Sequence, residues 1–326
     1  MTDLYSIYTR LAAHPVPSAF EAEGHALLQD ILAGSGLVLS TDNLGHFYAR
    51  RPGTGKRLLI TAHADASGIM ASHITGEGFI RFGLLGNLTP AALCDREVKF
   101  LSGLRGVIRT EKEAPTLASE LYIDIGAKNR ADAARRVKPG DPALLCDTPH
   151  RAGNRLTANY LSPSLPMALL AALGTELSSL PSDADVTLCF SAAAEVDHGA
   201  VRTAAAACAA DLALLVDVTP SGDTPGAAEV CPVKLGGGPV CRLADKGCIC
   251  QPAAVDALRA AVKAAGVSLQ EELRPAAVSE AAHIHLAGNG IPTAILTLPV
   301  RGIGSALQSA DLGDARAALQ ILRAMV

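Results

Sequence analysis

Four short runs of almost wholly apolar residues recur along this chain of 326 residues: RLLITA leading into His63, DVTLCFSA at 185–192, DLALLVDVT at 211–219 and PTAILTLPV at 292–300. Runs of strand length with little polar alternation fit strands buried on both faces, which is the situation inside a parallel sheet covered by helices. Alanine-rich segments with helical character lie between them, so the pattern predicts an α/β fold with a largely parallel sheet and helices on both faces. Tryptophan is absent and aromatics are only 3% of the residues, so alanine, leucine and valine must fill the core.

Two stretches depart from this pattern. Ser18 and Glu21 have the spacing of a capping box ahead of FEAEGHALLQDILAGSG, which predicts helix over most of the first 35 residues. LVLSTDNLGHFYAR then alternates around a DNLG turn, as a hairpin does. Between residues 68 and 155 the chain breaks into short β-like pieces, among them HITGEGFIRFG, REVKFLSGLRGVIRT and ELYIDIGA, closed by VKPGDPALL. The expected organisation is therefore one α/β domain made of 1–67 and 156–326, interrupted by a small β domain at 68–155.

Composition removes several classes of partner. A net charge of -4 with no basic block argues against nucleic acid or an anionic membrane surface, and leaves a small molecule or peptide. No stretch reaches the roughly 18 apolar residues of a membrane helix, and the N-terminal residues do not read as a signal peptide. Cys94, Cys146, Cys189 and Cys208 lie in apolar surroundings that suit reduced, buried thiols, which points to the cytoplasm. Cys248 and Cys250 form a C-x-C pair with no second pair nearby, a poor zinc signal that reads as structural.

In an open parallel sheet, ligands bind beyond the carboxyl ends of the strands. His63 and Asp65 follow the first apolar run, Glu195, Asp197 and His198 follow the second, Asp217 lies near the end of the third, and Arg301 follows the last. Imidazole and carboxylates converging on one edge is the chemistry of a zinc, cobalt or manganese site. Each residue alone also has a plain reading as a turn cap or a satisfied core group.

TAHADASGIMASHITGEGFIRFGLLGN, ELYIDIGAKNRADAARRVKPGDPALL, LLVDVTPSGDTPG, KLGGGPV and GIPTAILTLPVR, taken in this order, resemble the glutamyl aminopeptidase and tetrahedral aminopeptidase family of co-catalytic metallopeptidases, which includes relatives described as cellulases. The resemblance runs along essentially the whole chain. It implies a phosphorylase/hydrolase-like α/β domain with an inserted β-barrel domain of the dimerisation type. It also implies a peptide or amino-acid substrate, and a homo-oligomer such as a dimer or dodecamer. A glycosidase would need two carboxylates flanking a sugar, and no such pair stands out.

Carried over residue by residue, the resemblance implies a damaged metal site. His63 falls on a metal-ligand histidine, Asp65 on the aspartate that orients it, and Asp217 on a terminal metal carboxylate. Where the family has an aspartate bridging both metals, RLTANYLSPSLPMALLAAL offers Asn159 or Ser162. Where the family has two adjacent glutamates, a base and a ligand, SAAAEVDHGA places Ala194 at the base and Glu195 at the ligand; anchoring on Gly199 and Ala200 instead loses both. The last ligand histidine falls on Gly304. Asp197 or His198 could substitute locally. His283 and His285 read either as further substitutes or as residues of a solvated helix surface. The expectation is at most one zinc, cobalt or manganese ion, or none, and two opposed readings: a metal-dependent aminopeptidase with an altered site, or a non-catalytic peptide-binding or assembly protein on the same scaffold.

Overall fold

The protein was analysed as a computed structural model that describes residues 3–146, 148–225 and 231–326. Gly226, the last residue of the LLVDVTPSGDTPG segment, and Asp147, near the end of the expected insertion, lie outside that set. The four apolar runs form the centre of one large sheet, as their lack of polar alternation requires. In spatial order they are Thr293–Arg301, Leu212–Pro220, Arg57–His63 and Asp185–Ser191, each parallel to the next. Ser191 pairs with His63 and Asp217 with Thr297, so the chemically informative ends of all four strands reach the same edge.

Antiparallel strands extend this centre. Phe47–Arg51 and Val38–Thr41 form the expected hairpin beside Asp185–Ser191. Gln308–Asp311, Arg155–Ala158 and His150–Ala152 continue the other side. His150–Ala152 lies inside the segment expected to belong to the inserted domain, yet it pairs in the main sheet. Gly153, with φ of 60°, turns the chain back on itself there, and Ala152 faces Arg155 across the hairpin.

The helix Leu161–Glu176 is buried around most of its circumference. It packs on the central strands and is covered in turn by Leu4–Ala12 and Leu312–Met325. Such a helix is apolar on nearly every side because every side meets protein. Val201–Cys208 packs on Arg57–His63 and Asp185–Ser191, and helices cover both faces of the sheet.

The β-like pieces close into a six-stranded barrel in the order Leu121–Asp124, Ile80–Leu85, Gly68–Ile74, Pro142–Leu145, Glu97–Phe100 and Arg105–Thr110. Its core is separate from that of the α/β domain and is built on Ile69, Ile80, Phe82, Val98, Phe100 and Ile108. The hydroxyl of Tyr160, from the α/β domain, accepts a hydrogen bond of 2.6 Å from the Leu145 amide at the end of the barrel, which ties the two cores together beside the sheet edge.

The N-terminal expectation needs correction. Helices run only over Leu4–Ala12 and Ala22–Ile31, separated by the short strand Val16–Pro17. Ser18 and Glu21 do not cap the second helix. The Ser18 hydroxyl donates to Asp65, and Glu21 accepts from the Ala193 amide. Both side chains are drawn inward to buried partners further along the chain, the Asp65 carboxylate and the Ala193 amide.

Candidate functional site

A cleft of about 470 Å³ opens at the carboxyl edge of the sheet, between the α/β domain and the barrel. His63, Glu195, His198, Asp217, Ala194, Asn159, Ser162 and Gly304 all line it. Asp65 lies beneath it, fully buried. The sequence pattern thus brings these residues together, although they come from five separate segments.

His63 is set up by Asp65. Its Nδ1 lies 3.0 Å from the Asp65 carbonyl and 3.5 Å from Oδ1, which leaves Nε2 to face the cleft. Burial opposes a charge on this ring, but the Asp65 carboxylate, helped by Glu195 and Asp217, outweighs it and raises the pKa to about 10. The Asp65 pKa is lowered: burial works against ionisation, and His63, Ser18 and the Glu195 amide overcome it.

The loop after Asp185–Ser191 is fixed by an arrangement that sequence inspection did not reveal. Four consecutive backbone amides each find a side-chain acceptor. Ala192 N–H donates to His46 Nδ1 at 2.9 Å, Ala193 to Glu21 at 2.8 Å, Ala194 to Asp65 Oδ1 at 3.1 Å and Glu195 to Asp65 Oδ2 at 2.9 Å. Because His46 Nδ1 accepts, its proton sits on Nε2, which donates to the Ala200 carbonyl at 3.0 Å. These bonds hold Ala193 at φ of 61°, a left-handed conformation that alanine adopts at a cost of about 1 kcal/mol or more. The result is that the Glu195 carboxylate projects towards Gly86 and the Ser67 hydroxyl at the barrel side of the cleft. Burial raises its pKa.

The proposed substitutes behave differently from one another. Asp197 is exposed and accepts from the Gly199 amide, a local turn contact outside the cleft. His198 lines the cleft, and its buried Nδ1 has no hydrogen-bond partner among the described residues. His283 and His285 are half-buried rather than solvated and do not line the cleft, and His285 Nδ1 is engaged with the Ala281 carbonyl. Arg301 turns away to an ion pair with Asp223, whose carboxyl it lowers to about 2. Among the cysteines, Cys94, Cys146 and Cys208 are only half-buried, while Cys248 and Cys250 are buried with their thiols in mutual contact.

One cleft residue was overlooked. Glu280, just before the short helix Ala281–Ile284, is 3% exposed, lines the cleft, and has no hydrogen-bond partner for either carboxyl oxygen among the described residues. The spacing of SEAAHIH carries no signal for it.

Two metal ions do not fit these residues as the resemblance would arrange them. The position it gives to the bridging aspartate holds a neutral amide or hydroxyl, Asn159 or Ser162, and the position it gives to the base holds the methyl group of Ala194. At Gly304 the backbone itself is unsuited: φ is 81°, and a Cβ there would lie 3.0 Å from the Asn87 carbonyl oxygen. A histidine could not be placed without strain. Among the described residues, no three His, Cys, Asp or Glu side chains stand together as a metal ion would require.

The whole chain has recognisable relatives. The family model for M42 glutamyl aminopeptidases matches residues 45–321, and the chain belongs to that family. A relative from Acetivibrio thermocellus that bears an aminopeptidase name is 31% identical over 288 residues, covering 87% of this chain and 86% of that one. The TET aminopeptidase from the marine sediment archaeon Thaumarchaeota archaeon SCGC AB-539-E09 superposes with a TM-score of 0.92 at 23% identity, over 99% of this chain and 96% of its own. The TET1 peptidase of Pyrococcus horikoshii, which can assemble into a tetrahedron or a large octahedral shell, superposes at 0.89 with 21% identity, over 99% of each chain.

Proposed function

We propose that this chain binds the amino end of a peptide or amino acid in the cleft and does not perform the two-metal hydrolysis that the family resemblance implies. The observation that carries the reading is the group Asn159, Ala194 and Gly304, which bring no acid and no imidazole into a cleft otherwise shaped like a substrate site. Water activation without a base forfeits about 10² to 10⁴-fold in rate. The four pinned amides of the loop supply the complementary support, because they hold a preorganised wall that a decaying fold has no reason to keep.

The experiment is calorimetric titration of the purified protein with the tripeptide Ala-Ala-Ala, followed by chromatography of the mixture. Binding with the tripeptide recovered intact is the expected result. Release of alanine, or no binding at all, would sink the proposal.

A single-metal aminopeptidase is the second reading. The unpartnered Nδ1 of His198 favours it, since His63, Asp217 and His198 could converge after side-chain rotation. Alanine release that requires added zinc, cobalt or manganese and is lost in His198→Ala would establish it.

The preserved barrel supports a homo-oligomer, as in the tetrahedral relative. All eight cysteines are free thiols, which supports a reducing compartment such as the cytoplasm. No helix of the described residues is long and apolar enough to cross a membrane.

A further inference from the structure

We infer that Glu280 is the acceptor for the ligand's primary ammonium group, a role that none of the family's site positions assigns to it. The inference rests on the peptide-binding reading above and names the contact that would recognise the ligand.

The case begins with the position of the carboxyl group. Glu280 is 3% exposed, yet both of its oxygens lack a hydrogen-bond partner among the described residues. The Ser191 hydroxyl lies near enough to favour the charged form but without the geometry of a hydrogen bond. Native structures rarely leave a buried carboxyl in this condition, because desolvation without compensation costs several kcal/mol. Burial accordingly pushes its pKa up to about 8, against the pull of His63. The side chain lines the same cleft as Glu195 and Asp217, so a ligand entering the cleft meets three carboxyl groups on its walls.

These groups suit a cation, and an ammonium more than a metal ion. A metal needs several donors converging at about 2 Å. No three such side chains stand together among the described residues. An ammonium carries three N–H donors that reach separate acceptors at about 2.8 Å, so it tolerates carboxyl groups spread around a cleft. In a peptide the primary ammonium available to every sequence is the amino terminus.

The test is a double cycle by calorimetry. Wild-type protein and Glu280→Gln are each titrated with Ala-Ala-Ala and with N-acetyl-Ala-Ala-Ala, and zinc chloride alone is titrated into both. The isosteric amide preserves shape, and thermal melting of both proteins checks that the fold is retained. The acetylated probe interrogates the same contact with no mutation at all. Wild type should bind the free amine about tenfold or more tightly than the acetylated probe. Glu280→Gln should lose that preference, with both probes bound about equally. Two results would overturn the inference while leaving the peptide-binding reading intact. One is an undiminished preference for the free amine in Glu280→Gln, and the other is equal binding of the two probes by wild type. Stoichiometric zinc binding that Glu280→Gln abolishes would also overturn it, since the cation would then be a metal. Failure of wild type to bind either probe would overturn both readings.

Discussion

Asp65 carries more of this site than its position out of the cleft suggests. It is fully buried, receives the Ser18 hydroxyl at 2.6 Å and the amides of Ala194 and Glu195, and orients His63. Removing its carboxylate would leave two amides and the Ser18 hydroxyl buried without their acceptor and take the countercharge from His63. We expect Asp65→Ala to lose about 3 kcal/mol of stability in urea unfolding; a loss under 1 kcal/mol would mean that water or a rearranged loop takes over. His46 gives a pH signature. Burial lowers its pKa, and its Nδ1 must stay unprotonated to accept from Ala192. A group with a depressed folded pKa contributes stability that is present above its unfolded value of about 6.5 and is lost as pH falls below it. His46→Gln can make both hydrogen bonds without titrating. Its melting temperature should therefore fall less than that of wild type between pH 7.5 and pH 5.5.

At the scale of elements, the cleft is a joint between strand ends of the α/β domain and a turn of the barrel. Gly86 marks a close approach. It has φ of 78°, and a Cβ there would fall 2.1 Å from the Glu195 carboxylate. Gly86→Ala should cost about 1 kcal/mol through backbone strain alone. It should also push Glu195 out of position, which weakens binding of Ala-Ala-Ala beyond anything melting reveals. Unchanged affinity would show that Glu195 does not meet the ligand. This joint also shows what the sequence could disclose. The strands announced themselves through unbroken apolar runs, and His63, Glu195 and Asp217 were legible because they sit at or just beyond the ends of such runs. The pinning of residues 192–195 was not legible. It depends on side chains of residues 21, 46 and 65, which local spacing casts as a helix cap, a hairpin residue and a histidine partner. Glu280 was hidden for a related reason, since its meaning comes from burial and the want of a partner, neither of which leaves a local pattern.

For the whole molecule, the family's scaffold is intact, and the proposal is that the chemistry of its site has changed. Two separate cores, one in the sheet domain and one in the barrel, are complete, and the cleft between them is open. If the barrel still drives assembly, sedimentation should show a discrete species heavier than the 33.4 kDa chain, at twice that mass for a dimer or twelve times for a tetrahedral shell. A monomer at all concentrations would show that the barrel has lost that role. The most direct test of the central claim is to titrate the protein with zinc, cobalt and manganese, count bound metal by elemental analysis, and assay leucine p-nitroanilide in the same samples. The proposed loss of bridge, base and last histidine predicts fewer than two ions per chain and no turnover. Two bound ions per chain with turnover that His63→Ala abolishes would contradict it.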